Sequence, residues 1–158
     1  MKALVYTGTQ MSEIRDVDVP VAGDDQVLVD LAFCGICGSD MHAYLGHDDR
    51  RPAPLILGHE AAGLVLAGPM AGKNVTVNPL VSCGTCRYCT QGRENLCQTR
   101  QIISMLPREG AFAQQLVMPT ANLVEVPDGV AIEHAALAEP IAVCWHAARL
   151  GREALRRP

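Results

Sequence analysis

Apolar and polar positions alternate through most of this chain, and helical spacing takes over only near its end. Val27, Val29, Leu31 and Phe33 fall on one side of a period-two pattern, with Asp30 and Ala32 on the other, although Leu28 blurs it. That spacing predicts a half-buried strand. Pro20 to Asp25 reads as the turn before it, and residues 1 to 34 read mostly as strands. Ala61–Ala67, Val75–Val77, Phe112–Met118 and Leu123–Val126 continue the β pattern, closed by a Pro127-Asp128-Gly129 turn. One short helix interrupts it. Ser39 is placed as its N-cap, Asp40 suits the positive end of the helix dipole, and Gly46 can end it, so the helix is expected from about Asp40 to Leu45. From Ala131 the spacing turns helical. Pro140 is expected in the first turn of a helix that reaches about Leu150, with Gly151 as its stop.

Composition agrees with one globular domain. The chain has 158 residues, 49% apolar and 19% charged, so it can bury a core. Aromatic residues are only 4%, which leaves the core to Val, Ile, Leu and Ala. A net charge of −4 argues against a nucleic-acid surface. Arg152 to Arg157 read as a solvated helix end. The most apolar late stretch, Ala135 to Leu150, is broken by Glu139, Pro140, His146 and Arg149, so no membrane span is expected. The N-terminus has no long apolar core and no small-residue cleavage site, which points to the cytoplasm. Seven cysteines without such a leader suggest metal ligands rather than disulfides.

Two constellations carry that chemistry. Cys83, Cys86, Cys89 and Cys97 have the spacing C-x2-C-x2-C-x7-C. Short spacings let one loop wrap a single ion, and four thiolates close a zinc tetrahedron with no open position. Free or disulfide-bonded cysteines are the alternative. The second constellation pairs Cys34-Gly35-Ile36-Cys37-Gly38-Ser39-Asp40-Met41-His42 with Gly58-His59-Glu60. Cys37 and His59 are ligands that Zn²⁺ takes, and a site with three protein ligands keeps a fourth position open. Ser39 and His42 could then carry protons to or from whatever occupies that position. Cys34 and Cys37 could instead be a redox pair. Cys144 is expected in the core, and Asp48-Asp49-Arg50-Arg51 in a solvated loop or at a substrate entrance.

Taken together, the two constellations resemble the zinc-dependent medium-chain alcohol dehydrogenases, in their polyol, threonine and secondary-alcohol branch. Four stretches carry the likeness: Gly35 to His42, Gly58 to Gly63, Asn78 to Cys86, and Leu137-Ala138-Glu139-Pro140. The resemblance implies a mainly β, GroES-like, partly open barrel over residues 1–139, with a structural zinc lobe at 82–100. It implies that 140–158 form a helix leading to a dinucleotide-binding domain. It assigns Cys37 and His59 to a catalytic zinc, with Glu60 beside the metal and Glu139 binding it directly or through water. It assigns the second zinc to Cys83, Cys86, Cys89 and Cys97. Ser39 takes the alcohol proton, His42 passes it towards solvent, and Asp40 orients His59 by a hydrogen bond. The implied reaction oxidises a small secondary alcohol or polyol to the carbonyl, with zinc acidifying the hydroxyl and NAD or NADP taking the hydride. A homo-oligomer is compatible with this likeness.

The chain departs from that pattern in two places. No Gly-x-Gly-x-x-Gly follows a strand, so a Rossmann domain is expected to be absent from these 158 residues. Gly72-Lys73-Asn74-Val75 stands where a Gly-Asp-Arg-Val-like turn is common, which suggests a shortened hairpin. The competing expectation is an inactive, zinc-stabilised scaffold or binding module.

Overall fold

A computed structural model describes residues 1–155. Ten strands, β1 (Lys2–Gly8), β2 (Met11–Asp16), β3 (Gln26–Gly35), β4 (Leu55–Ile56), β5 (Glu60–Val65), β6 (Asn74–Val77), β7 (Leu80–Val81), β8 (Gln101–Ile102), β9 (Gln115–Pro119) and β10 (Leu123–Glu125), precede or surround three helices. The helices are α1 (Gly38–Tyr44), α2 (Ile132–Ala135) and α3 (Ala138–Leu155). The strands form sheets in the orders β2-β1-β4, β10-β6-β5-β3-β9 and β7-β8. Every pairing is antiparallel, and the arrangement is the partly open barrel that the family resemblance implied and the strand-rich pattern agreed with.

The core lies on the inner face of the five-stranded sheet. Val27 and Val29 of β3 pack there with Ala61 and Val65 of β5, Val75 and Val77 of β6, and Leu116 and Met118 of β9. Each Val, Leu or Met side chain removed from water is worth roughly 1.5–3 kcal/mol before entropy is counted. The alternation of β3 does not persist to its end. Leu31 pairs with Gly63 but Phe33 pairs with Ala62, so Ala32 has no partner and the strand bulges. One extra residue moves the rest of the strand to the other face. Phe33, expected inside with Val29, is 45% exposed.

The helices differ from expectation at their ends. Cys37, not Ser39, is the N-cap of α1, and Asp40 reaches back to the Cys37 N–H. Gly46 does close the helix, with φ at +76°, where a side chain would be strained. Pro140 lies in the first turn of α3, but Gly151 does not stop it. A glycine inside a helix costs only about 1 kcal/mol against alanine. Good helix formers come after it, and Arg149 pairs with Glu153 across it at 3.3 Å. Cys144 is exposed on α3 rather than in the core, as is Trp145 at 70%. The expected basic helix end, Arg152 to Arg157, falls in part on Arg156 and Arg157, which lie outside the described residues. Among the described residues no helix is long and apolar enough to cross a membrane.

Residues 48 to 51 are not simply solvated. Arg51 is buried, pairs with Asp48, and donates from Nε to the Ser104 carbonyl at 3.0 Å. This strut ties the loop after α1 to the chain beyond β8.

Candidate metal centre

The four-cysteine lobe is built almost without a core. Two 3-10 turns, Cys89–Gln91 and Glu94–Leu96, are its only helical elements. What it buries is sulfur: Cys89 and Cys97 are inside, and Cys97 is fully covered. The Cys83 and Cys89 sulfurs are 3.9 Å apart, and those of Cys86 and Cys89 are 3.5 Å apart. These separations are far too long for disulfides. They match the edge of a tetrahedron with metal–sulfur bonds of about 2.3 Å, which is roughly 3.8 Å. All four sulfurs lie within 4.8 Å of one another. Backbone N–H groups point at them, Cys86 to Cys83 Sγ at 3.3 Å and Cys83 to Cys97 Sγ at 3.5 Å. Groups at Thr85 and Cys86 draw Cys83 down to about 5, so it is readily a thiolate. Burial pushes the Cys89 thiol up to about 11. A cation is what would relieve that cost, and the donor set suits zinc.

The second cluster assembles donors from distant elements. β3 delivers the chain to Cys37 at the start of α1, and β5 begins at Glu60, just after His59. One donor atom each from Cys37, His59 and Glu60 falls within 4.8 Å of the others. His59 and Glu60 are buried, and Cys37 is half-buried. Thiolate, imidazole and carboxylate are a fitting set for zinc, and three protein donors leave room for a fourth ligand.

Asp40 holds the two halves together. Its Oδ2 accepts from the Cys37 N–H at 3.0 Å and its Oδ1 from the Gly58 N–H at 3.1 Å. The carboxylate is 2% exposed. Burial alone would raise it, but His59 and those two N–H groups prevail and keep it below the usual carboxylate range. His59 Nδ1 stands 3.6 Å from Asp40 Oδ1, too far for a good hydrogen bond, and it has no partner. The interaction is therefore one of charge. The Asp40 carboxylate lifts the imidazole to about 9, against the opposing effect of burial. With Nδ1 turned to Asp40, Nε2 is the nitrogen left for a metal. Cys34 lies nearby, but burial, reinforced by Asp40, pushes its thiol up to about 12, which suits an inert residue rather than a redox partner.

The other expected site residues sit around this cluster. Ser39 is half-buried on the first turn of α1, and His42 is exposed one turn on. The His42 ring has its centre 6.3 Å from that of His47. Glu139 is not within the three-donor group. It opens α3 and lines a cleft of about 560 Å³ with Thr76, Val77, Val124, Val143 and His146. Burial raises its carboxyl; His59 opposes that shift and Glu60 adds to it, so its charge reaches the cluster. The sequence motif includes Gly58 but gives it no role. Its φ is +91°, and a Cβ there would meet the Phe112 ring at 2.6 Å. The Cys-x-x-Asp capping pattern of Cys37 and Asp40 was the available signal for the N-cap.

Comparison with known proteins agrees with this architecture. Residues 23–128 match the alcohol dehydrogenase GroES-like domain. Sorbitol dehydrogenase of Bacillus subtilis is 39% identical over 157 residues, covering 94% of this chain and 44% of its own length. Galactitol-1-phosphate dehydrogenase of Escherichia coli superposes with a TM-score of 0.88 at 30% identity, over 96% of this chain and 45% of that one. An alcohol dehydrogenase of Escherichia coli, solved with NADH, superposes with a TM-score of 0.81 at 32% identity, over 89% of this chain and 42% of that one. The chain thus spans less than half the length of these relatives. The match extends across most of the chain, through the strands and loops that hold the cysteines, and the chain belongs to the alcohol dehydrogenase GroES-like family.

Proposed function

We propose that this chain is the zinc-binding catalytic part of an NAD(P)-dependent dehydrogenase acting on a secondary alcohol or polyol in the cytoplasm. The observation that carries this is the convergence of Cys37, His59 and Glu60 within 4.8 Å. In this reading residues 1–139 are the catalytic domain, and 140–158 are the helix leading into a dinucleotide-binding domain of a longer, homo-oligomeric enzyme. Cys37 and His59 hold one zinc, with Glu60 beside it and Glu139 supplying a second carboxylate directly or through water. Cys83, Cys86, Cys89 and Cys97 hold the other. When bound, the first zinc supplies Lewis acidity that lowers the pKa of a substrate hydroxyl. Asp40 keeps Cys37 and Gly58 in place and biases the His59 ring by charge. Ser39 receives the hydroxyl proton, and His42, open to solvent, passes it on. The polyol class is supported by the sorbitol and galactitol-1-phosphate dehydrogenases among the relatives.

Counting zinc tests this. Elemental analysis of the purified chain is expected to find two zinc ions, one of them lost in Cys37→Ser with the fold intact. A single zinc that survives Cys37→Ser and disappears in Cys86→Ser overturns the reading and leaves a zinc-stabilised scaffold.

A further inference from the structure

Gly35 ends β3, and its partner across the ladder is Glu60. A Cβ at Gly35 would stand 2.2 Å from Glu60 Oε2, 3.1 Å from its Cβ and 3.3 Å from its Cδ. All three of these nearest atoms belong to the Glu60 side chain. The backbone does not ask for glycine here, because Gly35 is absent from the positive-φ positions. Other glycines of the chain have different reasons. At Gly63 and Gly110 a Cβ would strike backbone, 2.2 Å from the Asp30 carbonyl oxygen and 2.3 Å from that of Leu57. At Gly38 and Gly84 it would meet nothing within 4 Å. Among the described residues, Gly35 is the glycine whose missing side chain makes room for a carboxylate. That carboxylate belongs to a buried residue, 7% exposed, which has few other places to go.

We propose that Gly35 is a positioning residue for the metal centre: its bare Cα leaves the berth in which the Glu60 carboxylate rests, within reach of Cys37 and His59. The proposal rests on the reading of Cys37, His59 and Glu60 as a zinc site. Oε2 is the end of a flexible side chain, so a methyl group at position 35 turns the carboxylate away, while the close contact with Glu60 Cβ at 3.1 Å asks β5 for only a small shift. The displaced group leaves the three-donor cluster. Loss of such support around a metal typically weakens binding about 10–100-fold.

A double-mutant cycle on the 158-residue chain tests the berth. Zinc affinity is measured by chelator competition, and the visible bands of the Co²⁺-substituted protein report the donor set. The ion in the four-cysteine lobe serves as an internal control. Gly35→Ala is expected to weaken the Cys37-dependent zinc about tenfold and to shift the cobalt bands. In a Glu60→Ala background the same change is expected to cost less than about twofold, because the clash has gone. An equal loss in both backgrounds, or no loss in either, overturns the proposal. If Gly35→Ala fails to fold, the double variant decides: folding with the zinc affinity of Glu60→Ala supports the berth, and failure to fold overturns it. A wild-type chain with no Cys37-dependent zinc overturns the underlying reading, an outcome that the Cys37→Ser control separates from failure of the berth alone.

Discussion

In the lobe, four sulfurs come from the 15 residues between Cys83 and Cys97; in the other cluster, three donors come from two stretches separated by α1, a long loop and β4. The lobe has short turns and little apolar burial, so its donors meet only because the loop is wrapped. The cluster stands on β3, α1 and β5, whose own packing fixes where Cys37, His59 and Glu60 lie. A metal bound by the lobe therefore contributes folding free energy to that segment. A metal bound by the cluster meets a frame already built by the core and by Asp40. A metal would order the first region, whereas the second is already arranged to receive one.

The largest effect expected from this contrast is in the lobe. Cys97→Ser removes its most buried sulfur and is expected to cost more than about 3 kcal/mol, with the segment around 83–100 opening to protease at Arg87, Arg93 and Arg100. Denaturant unfolding and limited proteolysis check it. A lobe that stays closed would show that packing alone holds it, and would erase the contrast.

Asp40→Asn comes next. It removes the charge that faces His59 and weakens a carboxylate that accepts from both Cys37 and Gly58. Zinc affinity at the cluster is expected to fall at least about tenfold, and stability by about 1 kcal/mol through the helix cap. Calorimetric zinc titration should show the lobe unaffected.

The smallest effect lies outside both regions, in the loop after α1, where the exposed Arg50 pairs with Asp48. Arg50 holds the Asp48 carboxyl at about 2, below its ordinary value. A depressed carboxyl contributes stability above its unfolded pKa of about 4, and loses it as pH falls through the folded value. Arg50→Ala is thus expected to lower the melting temperature at pH 7 by no more than about 3 °C, with the difference from wild type vanishing near pH 2. Melting curves across pH check it, and neither zinc site should respond.

Much of this molecule was legible in its residues. The β character, the short helix after Cys37 and the late helix come from periodicity and capping chemistry. The C-x2-C-x2-C-x7-C spacing alone predicts one closed tetrahedral site, because a short loop has few ways to place four sulfurs. Donor chemistry paired Cys37 with His59, and the family likeness added Glu60 and Glu139 to them. Helix ends were less legible. A glycine weakens a helix without ending it, so Gly151 misled, and Asp40 at N3 moved the N-cap back to Cys37.

By itself, then, the sequence determined the elements that local geometry controls and named the candidate donors. Tertiary structure decided how those donors are held. The bulge at Ala32 turned Phe33 outwards, Arg51 became a buried strut, Asp40 bridged two backbones instead of closing a hydrogen bond to His59, and Gly35 became room for Glu60. The physical reason is the same in each case. Spacing along a chain encodes contacts made within a few residues, whereas these four depend on which strand or loop lies opposite, and that is settled only when the sheets pack.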